Sequence, residues 1–597
     1  MRFRSALVDG IQVSAVAGTN TVSFGISADA AARQGLLGFA VERIDPAKGE
    51  RYFVHGFKVF RSVVPLPDEN TDVSTFEHPI QSLVWDDFTA APGHTYRYEF
   101  HPLAGTPKNL DRSRAVVGID VTTEPLYGRT SNGQAHDVFF NRGVASSQAY
   151  ERRFGNERPD KLTPPSKQKE ALDWLSRDLD NALLKFIANA KAGDGLLCCF
   201  YEFRYAPVAA ALKKAIDRGV DVQLIVDAKV NEHTDSEGFH ESFPRVENRK
   251  AIQKAGIPAA RVHLREAKRN DIQHNKFMVL LKGAARTPAE VWTGSTNISM
   301  GGIHGQTNVG HWVRDGAVAE RFAAYWELLE GDPGGKAGDS TAVVRKKNDE
   351  FRKAVEALRV VPEKLADIPP GTTPIFSPRR SGTVLDLYFQ LVDEAERLAC
   401  ITLAFGINKD FKARLTDNTA DNAIAFFLLE KKDKPTKATE NTFVFIGARQ
   451  NIYKAWGSFL REPLHQWAKE TSALGLGLNQ HVSFIHSKFL LRDPLGADPV
   501  VITGSANFSA ASTNDNDENM LAIRGDRRVA DIYFTEFNRL FNHYYFRSVV
   551  ESLKDRDAAV NLDASLFLTE KDQWLEKYKP GSLRAKRVAM FRDMVVS

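Results

Sequence analysis

The sequence has little of what disulfide-stabilised, metal-binding or membrane-spanning proteins need. It contains three cysteines in 597 residues, Cys198, Cys199 and Cys400, which excludes a disulfide framework and a Cys-x-x-Cys metal pair. Its longest apolar runs, such as residues 423–429, fall far short of the roughly 20 residues that a membrane-spanning helix requires. The opening segment MRFRSALVDG lacks the long apolar stretch of a signal peptide. We therefore expect a soluble, cytoplasmic protein, with export by a leaderless route left open.

An excess of charge of one sign is also missing. The chain has 79 Lys and Arg residues against 75 Asp and Glu residues, which gives a formal net charge of +4 at pH 7. This balance argues against a protein that coats nucleic acid along its whole surface, although a local basic groove would not show in it. With 43% hydrophobic and 26% charged residues, the composition is that of a globular protein with a full core.

The first 125 residues have the pattern of short strands. Segments such as TVSFGIS and HTYRYEFHPL alternate apolar with polar positions, and turns rich in Pro, Asp and Gly separate them. This spacing predicts an all-β sandwich over residues 1–125. The segment GHTYRYEFHPLAG at 93–105 resembles the late strand of a fibronectin-type module. A module of that kind would be passive or would present the substrate.

From residue 166 onward, helical segments alternate with short buried strands, which is the pattern of an α/β fold. The pattern is interrupted by Gly- and Pro-rich breaks at 331–340 and 367–374 and then recurs. We therefore predict two α/β halves. The expected boundaries are a linker at 126–165, the first half at 166–345, a helical linker at 346–372, the second half at 373–560 and a C-terminal helical tail at 561–597.

One polar motif occurs once in each half. An H-x-K triplet, at His274–Lys276 and again at His486–Lys488, opens an apolar strand. About twenty residues later follows a G-S-x-N segment, VWTGSTNIS at 291–299 and VITGSANFS at 501–509. A single H-x-K is expected by chance in a chain this rich in lysine, but no structural requirement of a fold explains the whole polar set twice.

Strand geometry gives the repeat its chemical meaning. Side chains at positions i and i+2 share a face, so the histidine and the lysine of each triplet point the same way. The serine and the asparagine of each G-S-x-N segment do likewise. Joining the two halves in a pseudo-twofold arrangement would surround one spot with two imidazoles, two ammonium groups and two amides, which suits a phosphate oxyanion.

At these residues the chain resembles the phospholipase D superfamily, whose signature H-x-K-x-x-x-x-D followed by G-S-x-N occurs twice. The second copy matches fully, with Asp493 at the acidic position and Glu518 eleven residues after Asn507. In the first copy Leu281 stands in place of the aspartate, and Thr307 stands near the position of the glutamate. The resemblance covers residues 166–550 and leaves the N-terminal module out.

The resemblance implies a phosphodiesterase with one active site built by both halves, which works in two steps without a metal or cofactor. One histidine attacks phosphorus to form a phosphohistidine, while the other protonates the leaving alcohol and later deprotonates water. The predicted catalytic residues are His274, His486, Lys276 and Lys488, the predicted phosphate-binding residues are Asn297, Asn507, Ser295 and Ser505, and the predicted supporting carboxylates are Asp493 and Glu518.

The two histidines can be given separate roles. A neighbouring carboxylate raises the pKa of an imidazole and favours its protonated form. Only the second motif keeps Asp493 and Glu518, so we expect His486 to be the general acid and His274 the nucleophile. This expectation assumes that each carboxylate serves the histidine of its own half.

Three functions are compatible with the motifs. The favoured one is a phospholipase D that removes the head group of a glycerophospholipid, with peripheral membrane contact and no transmembrane segment. The second is a nuclease that cuts DNA or RNA by the same chemistry, which the basic stretch at 261–270 would suit. The third is a binding protein with a decayed site, suggested by the incomplete first motif. The oligomeric state is not predicted.

Overall fold

The computed structural model of the protein describes residues 1–67, 71–128, 135–143, 148–155, 157–235, 238–267, 271–359, 361–417, 423–437, 439–458, 484–556 and 567–596. The N-terminal region contains β1 (Arg2–Arg4), β2 (Ile11–Ala17), β3 (Val22–Ala28), α1 (Ala30–Arg33), β4 (Gly38–Asp45), β5 (Glu50–Phe53), β6 (Val59–Phe60), β7 (Val84–Asp87), β8 (Thr95–Thr106), β9 (Asn109–Asp111) and β10 (Val117–Thr122).

These strands form two antiparallel sheets, ordered β1-β2-β3-β7 and β10-β8-β4-β5, with β9 paired to β8. In β8 the alternate residues Tyr96, Tyr98 and Phe100 are buried, as the period-two pattern predicts. They join one hydrophobic cluster with residues of β2 and β3, so the two sheets share a core. The resemblance of this region to a fibronectin-type module stays a prediction.

The first half contains β11 (His136–Phe140), α2 (Gln148–Phe154), α3 (Pro165–Ser176), α4 (Leu179–Ala188), β12 (Gly195–Phe200), α5 (Ala206–Asp217), β13 (Asp221–Asp227), β14 (His233–Asp235), β15 (Gly238–His240), α6 (Arg245–Ala255), β16 (Val262–Arg265), β17 (Lys276–Lys282), β18 (Thr287–Gly294), β19 (Val309–Val313) and α7 (Gly316–Glu330). Helix α8 (Thr341–Leu358) then leads to the second half.

The second half contains β20 (Gly371–Ser377), α9 (Thr383–Asp393), β21 (Leu398–Leu403), α10 (Lys409–Arg414), β22 (Ile424–Leu429), β23 (Ile452–Trp456), β24 (Phe489–Arg492), β25 (Val500–Gly504), β26 (Glu518–Arg524) and α11 (Arg527–Arg556). The C-terminal region adds β27 (Phe567–Leu568) and α12 (Leu583–Arg592).

The two halves are built on sheets of the same topology. The first sheet runs β11-β19-β18-β17-β12-β13-β16 and the second runs β20-β26-β25-β24-β21-β22-β23. In both, the last three strands pair in parallel and the others pair antiparallel. The mixed α/β fold with two related halves is thus confirmed.

Each sheet is covered on both faces, which explains its uninterrupted apolar strands. All six residues of β12 (GLLCCF) are buried. Successive side chains point to opposite faces, so Cys198 joins the cluster under α4 and α5 while Cys199 joins the core shared with the second half. Both thiols are free and buried, as the apolar run predicts.

Two segments predicted to connect or extend the domains are integral parts of them. Residues 136–140, inside the predicted linker at 126–165, form the edge strand β11 of the first sheet and bury Val138 and Phe140. Strand β27 pairs with β6, and Trp574 of the predicted C-terminal tail packs in the N-terminal core. Both segments were underestimated because their apolar runs are too short to show a period.

Helix α11 joins the N-terminal region to the two α/β halves. Its Asp531 accepts a hydrogen bond from Arg2 Nε at 2.8 Å and pairs with the Met1 ammonium at 3.2 Å. Both side chains are almost fully buried, so this contact is a fixed junction between the two parts. None of the helices in the described ranges combines the length and the apolar character needed to cross a membrane.

Candidate active site

Both H-x-K triplets stand at equivalent positions of the two sheets and open toward the same cavity. His274 lies two residues before the start of β17, which pairs with β12, and His486 lies three residues before the start of β24, which pairs with β21. The two histidines, Asn297 and Asn507 line a single pocket of about 370 Å³ between the halves. Tertiary structure thus brings together two motifs that are 212 residues apart, counted from His274 to His486.

His274 is held by a carboxylate from the other half. Its Nδ1 donates to both oxygens of Glu518, at 2.9 and 3.0 Å. Burial lowers the pKa of His274 from its ordinary value, and Glu518 opposes that shift. Burial works to raise the pKa of Glu518, but the charges of His274 and Lys276 outweigh it, so the Glu518 pKa is lowered. The pair is therefore a largely buried imidazole, open to the pocket, beside an ionised carboxylate.

His486 is held by an amide. Its Nδ1 donates to Asn308 Oδ1 at 3.0 Å, and its backbone N–H donates to Thr307 Oγ1 at 3.2 Å. Burial, followed by the charges of Lys488 and Lys276, lowers the pKa of His486 well below its ordinary value. Asn308, rather than Thr307, therefore occupies the place that Glu518 has in the other half.

These contacts overturn the assumption that each carboxylate serves its own half, and with it the argument that made His486 the general acid because it had a carboxylate partner. Glu518 follows the second motif but contacts the histidine of the first. Asp493 does not reach His486, because it lies beyond the far end of β24, where it accepts backbone N–H donors from Glu396, Arg397 and Leu398 at 2.8–3.0 Å. The predicted role of Asp493 as a partner of His486 is therefore wrong, and Asp493 instead ties the end of β24 to the start of β21.

In the first half, a different residue makes the equivalent contact between neighbouring strands. Leu281 replaces the motif aspartate and packs in the core. Asp194, which precedes β12, accepts the backbone N–H of Gly283 at 2.8 Å and of Lys191 at 2.9 Å. Burial raises the pKa of Asp194, but these backbone donors and Lys282 lower it overall. The missing aspartate thus removes no group from the pocket, which weakens the reason for suspecting a decayed site.

The two lysines lie just beneath the histidines. Lys276 Nζ donates to the carbonyl oxygen of His274 at 2.5 Å, and Lys488 Nζ donates to that of His486 at 2.6 Å. Burial lowers the pKa of Lys276 to about 8, with Glu518 and Glu202 opposing the shift. Burial also lowers the pKa of Lys488 well below its ordinary value. A bound anion would favour the charged form of both.

The asparagines and serines of the repeat have different surroundings. Asn297 Nδ2 donates to Glu202 Oε1 at 2.8 Å, and the Oδ1 atoms of Asn297 and Asn507 are buried without a partner among the described residues. Ser295 and Ser505 were predicted to bind phosphate. Instead, Ser295 Oγ donates to Asn308 Oδ1 at 2.8 Å and Ser505 Oγ donates to Glu518 Oε2 at 2.6 Å. Both serines orient the partners of the histidines because they lie behind them.

The sequence reasoning did not name Asn308, which holds His486, or the pocket-lining residues Tyr201 and Glu202. Asn308 could have been found, because it stands eleven residues after Asn297, as Glu518 does after Asn507. Tyr201 and Glu202 follow the buried strand β12 and carry no pattern of their own. Their counterparts after β21 are Ala404 and Phe405, so the two walls of the pocket differ.

The basic stretch at 261–270 does not form an anion-guiding rim where the structure describes it. Arg265, in β16, is almost fully buried and pairs with Asp517 at 2.9 Å and Asp332 at 2.7 Å. Residues 268–270 lie outside the described ranges. The buried Arg265 therefore gives no support to a nuclease, and part of this prediction falls on residues outside the described ranges.

Two groups of side chains elsewhere have the spacing of metal ligands. His233, Asp235 and His240 meet on the β14–β15 hairpin, and Glu42, Glu99 and His101 meet on the N-terminal sheet. Neither group lines the pocket. The fold brings the predicted imidazoles, lysines and asparagines together without them.

Comparison with known proteins agrees with this geometry. Residues 183–329 and 408–541 match the family model described as "Cardiolipin synthase, PLD-like domain". The chain belongs to the phospholipase D superfamily. The two matched segments contain both H-x-K triplets and both G-S-x-N segments, so phospholipase D membership rests on both halves. No curated protein matches the chain.

The chain has partial similarity to several solved structures. Phosphatidylserine synthase from Haemophilus influenzae is 12% identical, with a TM-score of 0.43 over 66% of this chain and 94% of that one. Polyphosphate kinase from Porphyromonas gingivalis is 10% identical, with a TM-score of 0.36 over 59% and 43%. The phospholipase D family member Nuc from Salmonella typhimurium is 24% identical, with a TM-score of 0.19 over 25% and 84%. These proteins are named for different activities, so the substrate of this chain is inferred from its own pocket.

Proposed function

We propose that this protein hydrolyses a phosphodiester through a phosphohistidine intermediate, and that its substrate is a glycerophospholipid whose head group is released. The observation that supports the proposal is the presence of both histidines in one pocket, each held at Nδ1 by an acceptor from the opposite half. With Nδ1 occupied, Nε2 of each ring is the nitrogen available to the substrate.

His274 is assigned the first bond-forming step. Its Nε2 lone pair attacks phosphorus while the bond from phosphorus to the leaving oxygen breaks. The product is an imidazole ring bonded to phosphorus that carries a positive charge and a proton on Nδ1. Glu518 accepts the hydrogen bond from this Nδ1 proton and stabilises the positive charge of the ring. The histidine that is paired with a carboxylate is therefore the better nucleophile.

His486 is assigned both proton transfers. The arriving phosphodiester anion favours the protonated ring, which then gives its Nε2 proton to the leaving alcohol. The neutral ring next takes a proton from water, whose oxygen attacks phosphorus and breaks the bond to His274. Phosphate monoester leaves, and both rings return to their starting states. Lys276 and Lys488 are placed beneath the histidines to offset the charge that grows on the non-bridging oxygens.

The second-half wall of the pocket supports a lipid substrate. Phe405 lines the pocket and is 73% exposed. Beside it lies a smaller recess of about 140 Å³ lined by Leu403, Ile407 and Phe508, among others. Exposed apolar side chains at the mouth of a pocket are suited to an acyl chain or to the edge of a lipid layer.

Substrate class is tested by an assay in EDTA with purified protein. Phosphatidylcholine and phosphatidylethanolamine vesicles are compared with single- and double-stranded DNA and RNA. We expect head-group release from vesicles that is lost in the His274→Ala and His486→Ala variants. The matched control is His55→Ala, because His55 is an exposed histidine of the N-terminal region. Cleavage of nucleic acid that is lost in the same two variants would reassign the protein as a nuclease. No cleavage of any of these substrates would refute the proposal.

The roles are tested with a phosphodiester that carries a highly acidic leaving group, such as bis(4-nitrophenyl) phosphate. Such a group departs without a proton, so His486→Ala should form the phosphoenzyme and then hydrolyse it slowly. His274→Ala should form none. Phosphate trapped on His486 in the unmodified enzyme would contradict the assignment.

A further inference from the structure

The partner of His486 differs chemically from the partner of His274, although both occupy the same place in their sheets. Asn308 immediately precedes β19, and Glu518 opens β26. Gly294 pairs with Gly310 in the first sheet as Gly504 pairs with Met520 in the second, so position 308 corresponds to 518. The replacement of a carboxylate by an amide is therefore a true asymmetry of the site.

The orientation of the Asn308 amide is fixed by its surroundings. Its Nδ2 donates to the carbonyl oxygen of Gly302 at 2.8 Å, which can only accept. Its Oδ1 must then face Ser295 Oγ and His486 Nδ1, at 2.8 and 3.0 Å. The residue is fully buried, and its backbone N–H donates to Asn141 Oδ1 at 2.9 Å. An acceptor held in this way requires the proton of His486 to sit on Nδ1.

The charged groups around His486 make the missing carboxylate matter. The cationic side chains that act on it are Lys488 and Lys276, and His274 adds a third positive charge only when it is protonated. On the other side, Glu430 accepts the backbone N–H groups of Phe484 and Ile485, and its charge acts on Lys488. Glu518 is engaged by His274. Among the residues that the structure describes, none gives His486 the directly bonded counter-charge that Glu518 gives His274.

We propose that Asn308 is a positioning residue that fixes the tautomer of His486 and withholds a counter-charge from it, so that His486 is a strong acid toward the leaving oxygen and a weak base toward water. This inference rests on the proposed function for its catalytic meaning. In the substrate complex, where the phosphodiester anion favours the protonated ring, breakdown of the phosphoenzyme rather than its formation then limits turnover. Both consequences reverse if the amide becomes a carboxylate.

The tautomer is tested without turnover, by nitrogen-15 spectra of the resting protein labelled at histidine. The His486→Asn variant assigns the signal. We expect a protonated Nδ1 and a bare Nε2 on His486, and in Asn308→Asp a pKa for this ring that is higher by at least one unit. A bare Nδ1 in the unmodified protein, or an unchanged titration in Asn308→Asp, would overturn the inference even if no substrate were ever cleaved.

The catalytic consequence is tested by kinetics of the same variants. The decline of kcat/KM at high pH should move upward by at least one pH unit in Asn308→Asp, because His486 must be protonated to act. Asn308→Leu removes the acceptor and should lower kcat by about 100-fold or more, with KM changed far less. The phosphoenzyme should accumulate in the unmodified protein and not in Asn308→Asp. Equal accumulation in both would refute the weak-base role. If the unmodified enzyme showed no activity at all, the proposed function would be refuted instead.

Discussion

Replacing Asp493 by Asn should destabilise the protein and leave its catalysis nearly intact. The carboxylate accepts three backbone N–H groups at the start of β21 and lies 3.3 Å from Arg492 Nη1. Asn tolerates the left-handed backbone at this position, where φ is +44°, so the substitution changes chemistry rather than backbone strain.

The magnitude follows from the hydrogen bonds. A bond to a charged acceptor contributes about 1.5–3 kcal/mol, and the amide keeps one oxygen while turning a donor toward the remaining N–H groups. We expect a loss of about 2–3 kcal/mol in the free energy of unfolding. Asp493 lies seven positions after His486, roughly 23 Å away at the rise of a strand, so kcat/KM should change less than twofold.

The assay is urea unfolding together with kcat/KM under conditions where the variant is folded. Asp498→Asn is the matched control, because Asp498 lies nearby, pairs with Arg524 and is half exposed. The reasoning would be refuted if Asp493→Asn lowered kcat/KM by 100-fold while its unfolding midpoint stayed unchanged. That result would restore Asp493 as a catalytic partner of His486.

Three further outcomes are expected. Burial works to raise the pKa of Glu536, but Arg177 and Arg539 lower it to about 2. The stability that ionised Glu536 contributes is therefore complete above pH 4.5 and is lost as the pH falls toward 2. Glu536→Gln should remove about 3 kcal/mol of this acid-dependent stability, which is measured by unfolding from pH 2 to 7. Since the pKa of Lys276 is about 8, KM should rise above that pH, whereas Lys276→Met should show a high KM without this step. Phe405→Ser should reduce head-group release from vesicles at least tenfold more than hydrolysis of a soluble phosphodiester, and an equal loss on both would argue against lipid contact.

Local sequence was sufficient to predict the features that depend on residues close together in the chain. The alternation of apolar residues identified β8, and the unbroken apolar run identified β12 as a strand buried on both faces. The repeated H-x-K and G-S-x-N segments identified the four site residues that line the pocket, His274, His486, Asn297 and Asn507. Each of these signals depends only on residues that are close together in the chain.

Sequence could not decide which groups meet across the two halves. The histidine of each half is held by an acceptor from the other, 244 residues away for His274 and Glu518 and 178 residues away for His486 and Asn308. Sequence also could not show that Asp194 and Asp493 play the same part, each accepting backbone N–H groups that join two neighbouring strands of its half. Asp194 precedes β12 whereas Asp493 follows β24, so the two do not align in the repeat. The residue types that do the chemistry were determined by the sequence itself. Their pairing, and with it the electrostatics of each imidazole, was decided only when the two halves packed together, because charge acts through space and not along the chain.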